Sequence, residues 1–510
     1  METKCNISDI LTEKNIFDQV IEQSIDADFT LPEYLPEISR VLKCSATPML
    51  ISKSVEGSAL SVDGEVCVTV IYSGNSGTIN SFEYVIPFLK TVELPQTHAD
   101  YVKVCLKTNY LNYRPTGKRK MDVHGAVGIS VCAVCNEGLP VVTDLCGKGV
   151  EVLKENVTLT CPCGHFEKSI IIDEELPLPD GSDPITSIIR YKAVSSISDC
   201  KIISGKIVAK GDVEIHILYF SEKSDCCRLY DTSIPFSQII DAPGTDDDCQ
   251  CDTSVSVASV ELNPRTNLSG EVTSLTLEAK LCISADTCCE QNLSIVTDTF
   301  STQHEGEYKT KNVCYSKLCD TVEEKFVCKK TLEFTEGSLS KVADMWCEIQ
   351  TGPVKQGDDG YSVSGTVTVC VLGYDRDQTA VYFEKPLDFS YPCKILQSGE
   401  NITVKPMINI CDSSYSFQDS DRLEVRVELL MKCKVFCDSK VCAVTEVSFD
   451  EQGKKVTDKG FSLAIYYTST DEKIWNIAKR YNTSVQSIMQ ANDLDSDEIS
   501  SGRMLLIPCI

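Results

Sequence analysis

The chain has 510 residues, of which 24% are charged and 42% hydrophobic, and this composition is typical of a globular protein with about three or four domains. Acidic residues outnumber Lys and Arg by 75 to 48, so the net charge is −27. This excess argues against nucleic acid or an anionic membrane as the main ligand, because both are bound by clustered cations. No apolar run approaches the ~18 residues of a membrane-spanning helix, so no membrane span is expected.

The opening segment, METKCNISDILTEKNIF, shows no pattern of a secretory signal. Acids and amides interrupt it before an apolar run of signal-peptide length can form, so we expect a cytoplasmic protein. Residues 15–27 predict a short amphipathic helix with Phe17, Val20 and Ile21 on one side. This helix defines a predicted N-terminal helical segment, residues 1–28.

Three later segments share one pattern, in which an alternating β-branched run ends in Tyr and a second run ends near Phe. The tyrosines are separated by 147 and 155 residues, and the phenylalanines follow them by 16, 17 and 15 residues. The pairs are Tyr72 and Phe88, Tyr219 and Phe236, and Tyr374 and Phe389. A hairpin with a turn of variable length explains this spacing. Each pair is preceded by a lead-in with helix-like apolar spacing, which fits a helix or a turn and an edge strand.

The repeats predict a mainly β protein of three tandem β-rich units, each a sandwich or a partly closed barrel, because many short strands must cover their apolar faces. Candidate linkers are residues 172–184, 303–312 and 449–460. The predicted domains are a first β repeat at 29–168, a second at 176–302, a third at 325–450 and a small C-terminal domain at 461–510.

The C-terminal segment has a different pattern, in the order strand, helix, helix, strand. Residues 461–467 predict a strand, and Ser469-x-x-Glu472 is a capping box that precedes a helix. A second helix starts near Val485, and residues 503–507 predict the closing strand. The segment is therefore expected to form a small βααβ domain.

This segment resembles a LysM domain. The matching residues include Ile474-Trp475-x-Ile477-Ala478-x-x-Tyr481-Asn482, Ile488-Met489-x-Ala491-Asn492-x-Leu494 and Leu505-x-Ile507-Pro508. The resemblance implies binding of N-acetylglucosamine polymers, such as peptidoglycan, in a groove between the loop after the first strand and the loop before the last. The family usually has Gly-Asp-Thr or Gly-Asp-Ser where this chain has Asp471, Glu472 and Lys473. Loss of that glycine adds a side chain and a charge at the groove, which favours a protein ligand.

Trp475 falls off the apolar stripe of its helix and is expected either at the rim of the core or at an interface, while Lys473, Lys479 and Arg480 make this helix locally basic. The predicted partner- or glycan-binding residues are Ser469, Thr470, Asp471, Glu472, Lys473, Trp475, Lys479, Arg480, Asn492 and Leu494.

The upstream units resemble the SPOCS repeat. The resemblance lies in residues 31–38, LPEYLPEI, and in the Gly64-x-Val66…Val70-x-Tyr72 block, and it is strongest in the first unit. Three such repeats followed by one LysM domain resemble a family of clostridial spore-coat morphogenetic proteins. That resemblance implies a LysM domain that binds a SpoIVA-like coat ATPase, and a location on the mother-cell side of the forespore surface, in the spore coat.

The 28 cysteines invite a zinc interpretation, since short spacings such as Cys132-x-x-Cys135, Cys161-x-Cys163-x-His165 and Cys249-x-Cys251 occur. Residues i and i+3 of a strand point to opposite faces, which disfavours one shared ion at Cys132 and Cys135. We therefore predict no metal site, and expect buried or free thiols or cysteines that cross-link after assembly.

No nucleophile turn and no Walker A pattern occurs, so neither a catalytic site nor a cofactor is predicted. The favoured interpretation is a non-catalytic scaffold of spore-coat assembly that recruits the coat ATPase and other coat proteins. One alternative is a peptidoglycan-binding protein, and another is a coat or appendage subunit cross-linked through its cysteines.

Overall fold

The computed structural model describes residues 4–75, 77–95, 98–335, 338–357, 360–393, 401–419, 421–455, 462–469, 472–496 and 502–508. Thr470 and Asp471, both predicted site residues, lie outside the described residues. Strands dominate this part of the chain, and its two helices are both short. Within the described residues, neither helix has the length and apolar character needed to cross a membrane.

Residues 4–146 form the first unit, which has two three-stranded antiparallel sheets. Its strands are β1 (Lys4–Thr30), β2 (Arg40–Glu56), β3 (Ala59–Ser73), β4 (Ile79–Glu93), β5 (Tyr101–Pro115) and β6 (Lys120–Cys146). The sheet orders are β1-β6-β5, which we call the outer sheet, and β2-β3-β4, the inner sheet. Apolar side chains of β3 and β6 meet between the sheets in one cluster, which makes the unit a sandwich.

The second unit, residues 150–301, and the third unit, residues 304–454, repeat this arrangement strand for strand. The second unit contains β7 (Val150–Pro177), β8 (Ser187–Ile203), β9 (Lys206–Ser221), β10 (Cys226–Asp241), β11 (Gln250–Thr266) and β12 (Val272–Ser301). The third unit contains β13 (His304–Glu333), β14 (Lys341–Gly357), β15 (Gly360–Tyr374), β16 (Ala380–Cys393), β17 (Ile402–Asp419) and β18 (Arg422–Lys454). The predicted mainly β architecture of three tandem repeats is therefore confirmed, with the sandwich as its form.

The predicted N-terminal helix is wrong, because residues 4–30 form a strand that pairs with β6 along its whole length. A register shift between Asn15 and Phe17 marks a β-bulge, which changes the alternation of side chains at that point. Phe17 and Ile21 share the face that packs on the core, whereas Val20 is 68% exposed on the opposite face, so an exposed valine supplied the helix-like spacing. Long-range pairing then decides the structure, with Ile10 and Ile25 buried against other strands.

The predicted linkers also lie largely in strands. β7 continues through residue 177, β13 covers residues 304–312, and β18 continues through residue 454, while residues 456–460 lie outside the described residues. Each unit therefore has one more strand before the segment that the repeat pattern identified. β7 belongs wholly to the second unit, although the predicted boundary between the first and second units lay between residues 168 and 176.

The acidic residues 173–175 are exposed on β7, an edge strand of its sheet, where charge blocks further strand pairing. The three lead-ins are strands β2, β8 and β14, at the edge of each inner sheet.

A glycine faces the closing phenylalanine in every unit. Gly64 pairs with Phe88, Gly211 with Phe236 and Gly365 with Phe389 across the inner sheet. A Cβ atom on Gly211 would lie 2.7 Å from the Phe236 ring and 2.0 Å from the Ser196 carbonyl oxygen. The glycine therefore gives the aromatic ring and the neighbouring strand the room that they occupy.

The anchor tyrosines are equivalent in only two of the three units. The Tyr72 and Tyr219 hydroxyls donate to carbonyl oxygens 36 residues upstream, at Pro36 and Asp183, over 3.0 and 3.2 Å. By strand register the third position is Gly373, where Leu339 fills the space beside the strand, and Tyr374 follows it by one residue. The predicted equivalence of Tyr374 is therefore wrong by one position.

One apolar cluster joins the three inner sheets. Each unit contributes a bulge residue of its first inner strand, namely Leu42, Ile189 and Ala343. Residues opposite these bulges and at the start of the third inner strand also belong to the cluster, and they are Ile71, Leu218, Leu372, Ile79, Cys227 and Ala380. Trp346 and Cys370 of the third unit complete it. Equivalent positions from all three units meet, so the units surround a common centre.

Charged side chains reinforce the contacts between units. Arg190 of the second unit donates to Asp344 of the third over 2.8 Å, and its guanidinium lies 4.0 Å from the centre of the Trp346 ring. Lys43 of the first unit pairs with Glu384 of the third. Because the first and third units touch directly, the arrangement closes on itself.

Gly211→Ala is expected to destabilise the second unit. The added methyl group meets a backbone oxygen that cannot move without breaking the β8–β9 pairing, and overpacking of this kind costs about 1–3 kcal/mol. Calorimetry of the full chain should show a lower unfolding temperature. Gly117→Ala is the matched control, because its nearest neighbour atom would lie 3.8 Å away. An unchanged unfolding temperature for Gly211→Ala would contradict the packing described here.

Candidate partner-binding site on the C-terminal module

The C-terminal module, residues 462–508, has the predicted βααβ order. It contains β19 (Leu463–Tyr467), α1 (Ile474–Tyr481), α2 (Val485–Ala491) and β20 (Met504–Pro508), and the two strands pair antiparallel. Asn482, with a φ of +56°, ends α1 in the left-handed conformation, and the Ser484 hydroxyl accepts the Ser487 N–H at the start of α2. The core of the module consists of Ile474, Ile477, Ala478, Ile488, Leu505 and Ile507.

Of the two reciprocal hydrogen bonds of the predicted capping box, only the one from the Ser469 N–H to the Glu472 side chain is formed among the described residues. The Glu472 carboxylate accepts the Ser469 N–H over 3.1 Å and the Tyr466 hydroxyl over 2.9 Å, and the Arg480 guanidinium lies 3.4 Å away. The bond from the Ser469 N–H, followed by those from Tyr466 and Arg480, holds the pKa of Glu472 below its usual value. Its side chain is only 11% exposed. Glu472 and Arg480 therefore stabilise the module itself, and α1 starts later than predicted, at Ile474.

Trp475 is buried against the second unit. Its side chain is 6% exposed, its indole N–H donates to Asp298 Oδ2 over 2.8 Å, and its ring makes an edge contact with Phe300 at 5.1 Å between centroids. Asp298 and Phe300 lie near the end of β12, just after a bulge between Val296 and Asp298. That bulge directs the carboxylate towards the module. Trp475 was predicted either at the rim of the core or at an interface. In the structure it lies at the interface between the module and the second unit of the same chain.

Lys479 binds the same carboxylate. Its Nζ lies 2.6 and 2.9 Å from the two Asp298 oxygens and 3.0 Å from the Tyr308 hydroxyl of β13. Tyr308 in turn donates to Asp298 over 2.7 Å. One carboxylate therefore accepts three side-chain donors, which come from α1 and from the third unit, and also the Thr299 N–H of its own strand over 2.8 Å.

The ionisation of this pair is set by opposing effects. Burial disfavours charge on both groups, but hydrogen bonds from Lys479, Trp475 and Tyr308 outweigh it, so the pKa of Asp298 lies below its usual value. The pKa of Lys479 is likewise raised, because its bonds to Asp298 and Tyr308 outweigh burial. Both groups are charged at neutral pH, and the pair is partly screened by water, with side chains 22% and 37% exposed.

Polar contacts extend the interface at the end of α1. The Asn482 amide donates to the Thr302 carbonyl over 2.7 Å, and Lys455 bridges the Asn482 side-chain oxygen and the Ser301 carbonyl at 2.9 Å each. The helical side of the module thus lies on the junction of the second and third units.

The remaining predicted residues divide into exposed and internal ones. Ser469 and Lys473 are exposed. The Asn492 amide donates to the Ile488 and Leu506 carbonyls and accepts the Leu506 N–H, each over 2.7 Å, so it joins α2 to β20. Leu494 is half-buried and lines a groove. Most of the predicted binding residues therefore stabilise the module or hold it against the second and third units.

The groove lies between α2 and β7 and has a volume of about 630 Å³. Glu151 of the second unit forms one wall, and burial raises the pKa of its carboxyl. The other lining residues are Val485, Gln486, Met489, Gln490, Asp493, Leu494 and Asp495.

An exposed apolar face on the module's sheet was missed by the sequence analysis. Leu463, Ile465 and Tyr467 are 49%, 62% and 66% exposed on one face of β19, and Met504, the strand partner of Tyr467, is 50% exposed. The signal was present, because β19 carries apolar residues on both faces of a strand that has only one core to cover. We call these four residues the open sheet face.

Asp298→Ala is expected to detach the module from the second unit. It removes the acceptor for the Trp475 indole, the Lys479 ammonium and the Tyr308 hydroxyl, and a buried donor without a partner costs about 1–3 kcal/mol. In a Trp346→Phe background, the fluorescence of Trp475 should shift to longer wavelength as the indole meets water. Asp183→Ala is the control, because Asp183 pairs with Arg228 at 3.1 Å beyond the end of β7, whereas the module contacts the start of that strand. Equal emission from all variants would contradict the docked arrangement.

Docking should also depend on pH, with a definite sign. Because the pKa of Asp298 is lowered by docking, its contribution is complete above about pH 4, where a free aspartate is ionised, and is lost as the pH falls through the lowered value. The Trp475 emission of the Trp346→Phe protein should therefore be constant from neutral pH down to about pH 4 and then shift to longer wavelength. A shift of the Trp475 emission near neutral pH would mean that the ionisation of another group, and not that of Asp298, controls docking.

The comparisons with known proteins agree with this architecture. The SPOCS domain of the SipL family matches residues 37–113 and 184–264, and the LysM domain matches residues 470–508. The two SPOCS matches cover the inner sheet and the following strand of the first and second units. No curated protein and no solved structure matches the chain.

The matched domains are non-catalytic binding domains, and no enzyme family is indicated. They support a sporulation protein that is associated with the coat and has a domain of the peptidoglycan-binding type. The strand order of the third unit repeats that of the two matched units. The chain therefore resembles proteins of the SipL family, because segments that match the SPOCS domain precede a segment that matches the LysM domain.

Proposed function

We propose that this protein is a non-catalytic scaffold of spore-coat assembly, which recruits a SpoIVA-like coat ATPase through the open sheet face of its LysM domain and other coat proteins through its β units. It acts on the mother-cell side of the forespore surface. The observation that carries the proposal is that the helical side of the LysM domain is covered by the chain's own units, while the described residues leave the open sheet face exposed.

An apolar surface of this kind favours a protein partner. Leu463, Ile465 and Tyr467 follow one another at every second position, so their side chains form a continuous strip about three residues long. Met504 extends the strip onto β20. Exposed aromatic and aliphatic side chains of this density mark protein interfaces, in which aromatic residues contribute most of the binding energy.

The resemblance to the spore-coat family supports an ATPase as that partner. The sequence has no Walker A pattern, so any ATP hydrolysis in the assembly is carried out by another protein. The rigid sandwiches of this chain supply a platform, and the LysM domain is held on it in one orientation by Asp298. A scaffold with a fixed recruitment surface fits that structure.

Ile465→Asp and Tyr467→Asp are expected to weaken recruitment. A buried charge at a protein interface opposes binding, and each substitution should reduce recovery of the co-expressed coat ATPase by about tenfold or more. Affinity purification from co-expressing cells measures this. Leu89→Asp is the matched control, because Leu89 is 69% exposed on the first unit.

Undiminished recovery of the ATPase with either folded variant would contradict the proposed surface. Asp298→Ala provides a further control, since it detaches the helical side and leaves the open sheet face intact. If recovery failed only with Asp298→Ala, the partner would bind the junction of module and units instead.

The groove beside α2 favours a second candidate function, the binding of peptidoglycan. Gln486, Gln490, Asp493 and Asp495 offer amide and carboxylate groups that suit hydrogen bonds to sugars. Sedimentation of the full chain with purified peptidoglycan tests this candidate. Pelleting that is lost in Gln490→Ala and retained in Ile465→Asp would favour the glycan function over protein recruitment.

A further inference from the structure

Three cysteines that are far apart in the sequence meet in the second unit. Cys163 Sγ lies 2.9 Å from Cys289 Sγ and 3.8 Å from Cys249 Sγ, and the three sulfurs lie within 4.8 Å of one another. Cys163 belongs to β7, Cys289 to β12, and Cys249 ends the loop before β11. All three are only partly accessible to solvent.

Two local features of the backbone bring them together. The β7–β12 pairing is shifted between Thr287 and Cys288, which leaves Cys163 as the extra residue of a bulge and turns its thiol towards Cys289. A turn closed by the bond from the Cys249 N–H to the Asp246 carbonyl, at 3.2 Å, places the third thiol. Asp246 Oδ1 lies 3.1 Å from Cys249 Sγ.

We propose that Cys163, Cys249 and Cys289 bind a thiophilic divalent cation such as Zn²⁺, with the oxygen of a solvent molecule as the fourth ligand. Three thiolates and one oxygen complete the four-coordinate shell that zinc prefers. With Zn–S bonds of about 2.3 Å, a tetrahedral site separates its sulfurs by about 3.8 Å. The distance from Cys163 to Cys249 has that value, and the distance from Cys163 to Cys289 increases to it on binding.

The nearby residues His165 and Cys161 have hydrogen-bond partners outside the three-cysteine cluster. His165, two residues from Cys163, is not a ligand, because its two nitrogens bond to Asp286 and Glu167 at 2.6 and 3.1 Å. Cys161 donates to the Gln291 side chain over 2.9 Å. A single disulfide would use only two of the three thiols, and the sulfurs of Cys163 and Cys289 are well beyond the about 2.05 Å of a bond.

Metal content of the full chain tests the site. Protein expressed with zinc and purified under reducing conditions should carry about one zinc per chain by mass spectrometry of the metal. Co²⁺ in its place should give the sulfur-to-metal charge-transfer absorption of a thiolate site. Cys163→Ser and Cys289→Ser should weaken Zn²⁺ binding by about tenfold or more. Cys282→Ser is the matched control, because Cys282 lies half-buried on the same strand, β12, outside the cluster.

Three results would overturn the proposal: wild-type protein without zinc and without the cobalt absorption, equal zinc binding by the Cys163→Ser and Cys289→Ser variants, or a Cys163–Cys289 disulfide in freshly isolated protein. If the two variants do not fold, the wild-type protein decides the question alone. Its unfolding temperature should then fall when a chelator removes the metal and recover when Zn²⁺ is restored.

Discussion

The three β units share one apolar cluster, and the rest of the structure is organised by it. A bulge at the same place in each first inner strand supplies Leu42, Ile189 and Ala343 to this cluster. No single unit could cover these side chains, because they leave its own sandwich and point towards the other two units. Closure of the three units around a common centre therefore buries them, and the ion pair between Arg190 and Asp344 fixes one of the three contacts.

That closure also creates the junction on which the LysM domain lies. The end of β12 and the start of β13 come from different units, yet together they present Asp298, Phe300 and Tyr308 to one face of α1. The carboxylate has more donors than an exposed surface pair would offer, so docking orients the domain as well as stabilising it. The basic side chains Lys479 and Arg480 of α1 bind acidic residues of the same chain, Asp298 and Glu472.

The sequence was sufficient to predict elements whose patterns are local. The three hairpins followed from the tyrosine and phenylalanine spacing, and the βααβ module followed from its capping residues and apolar stripes. Features that depend on strand register were not predictable. The exposed Val20 gave the first strand a helix-like spacing, and a one-residue offset moved Tyr374 away from the place of Tyr72 and Tyr219. Within the module, the residue types of the docking surface were identified, but Asp298 lies 177 residues from Trp475 and has no pattern that connects the two.

Zero-length carbodiimide cross-linking can show whether the LysM domain lies on its own chain through Asp298. This reagent joins an amine to a carboxylate only when the two are in contact. In the intact protein at neutral pH, mass spectrometry should identify a Lys479–Asp298 amide bond as readily as the Lys154–Asp144 bond, since the two pairs are both 2.6 Å apart. Recovery of the Lys154–Asp144 product without any Lys479–Asp298 product would contradict the account.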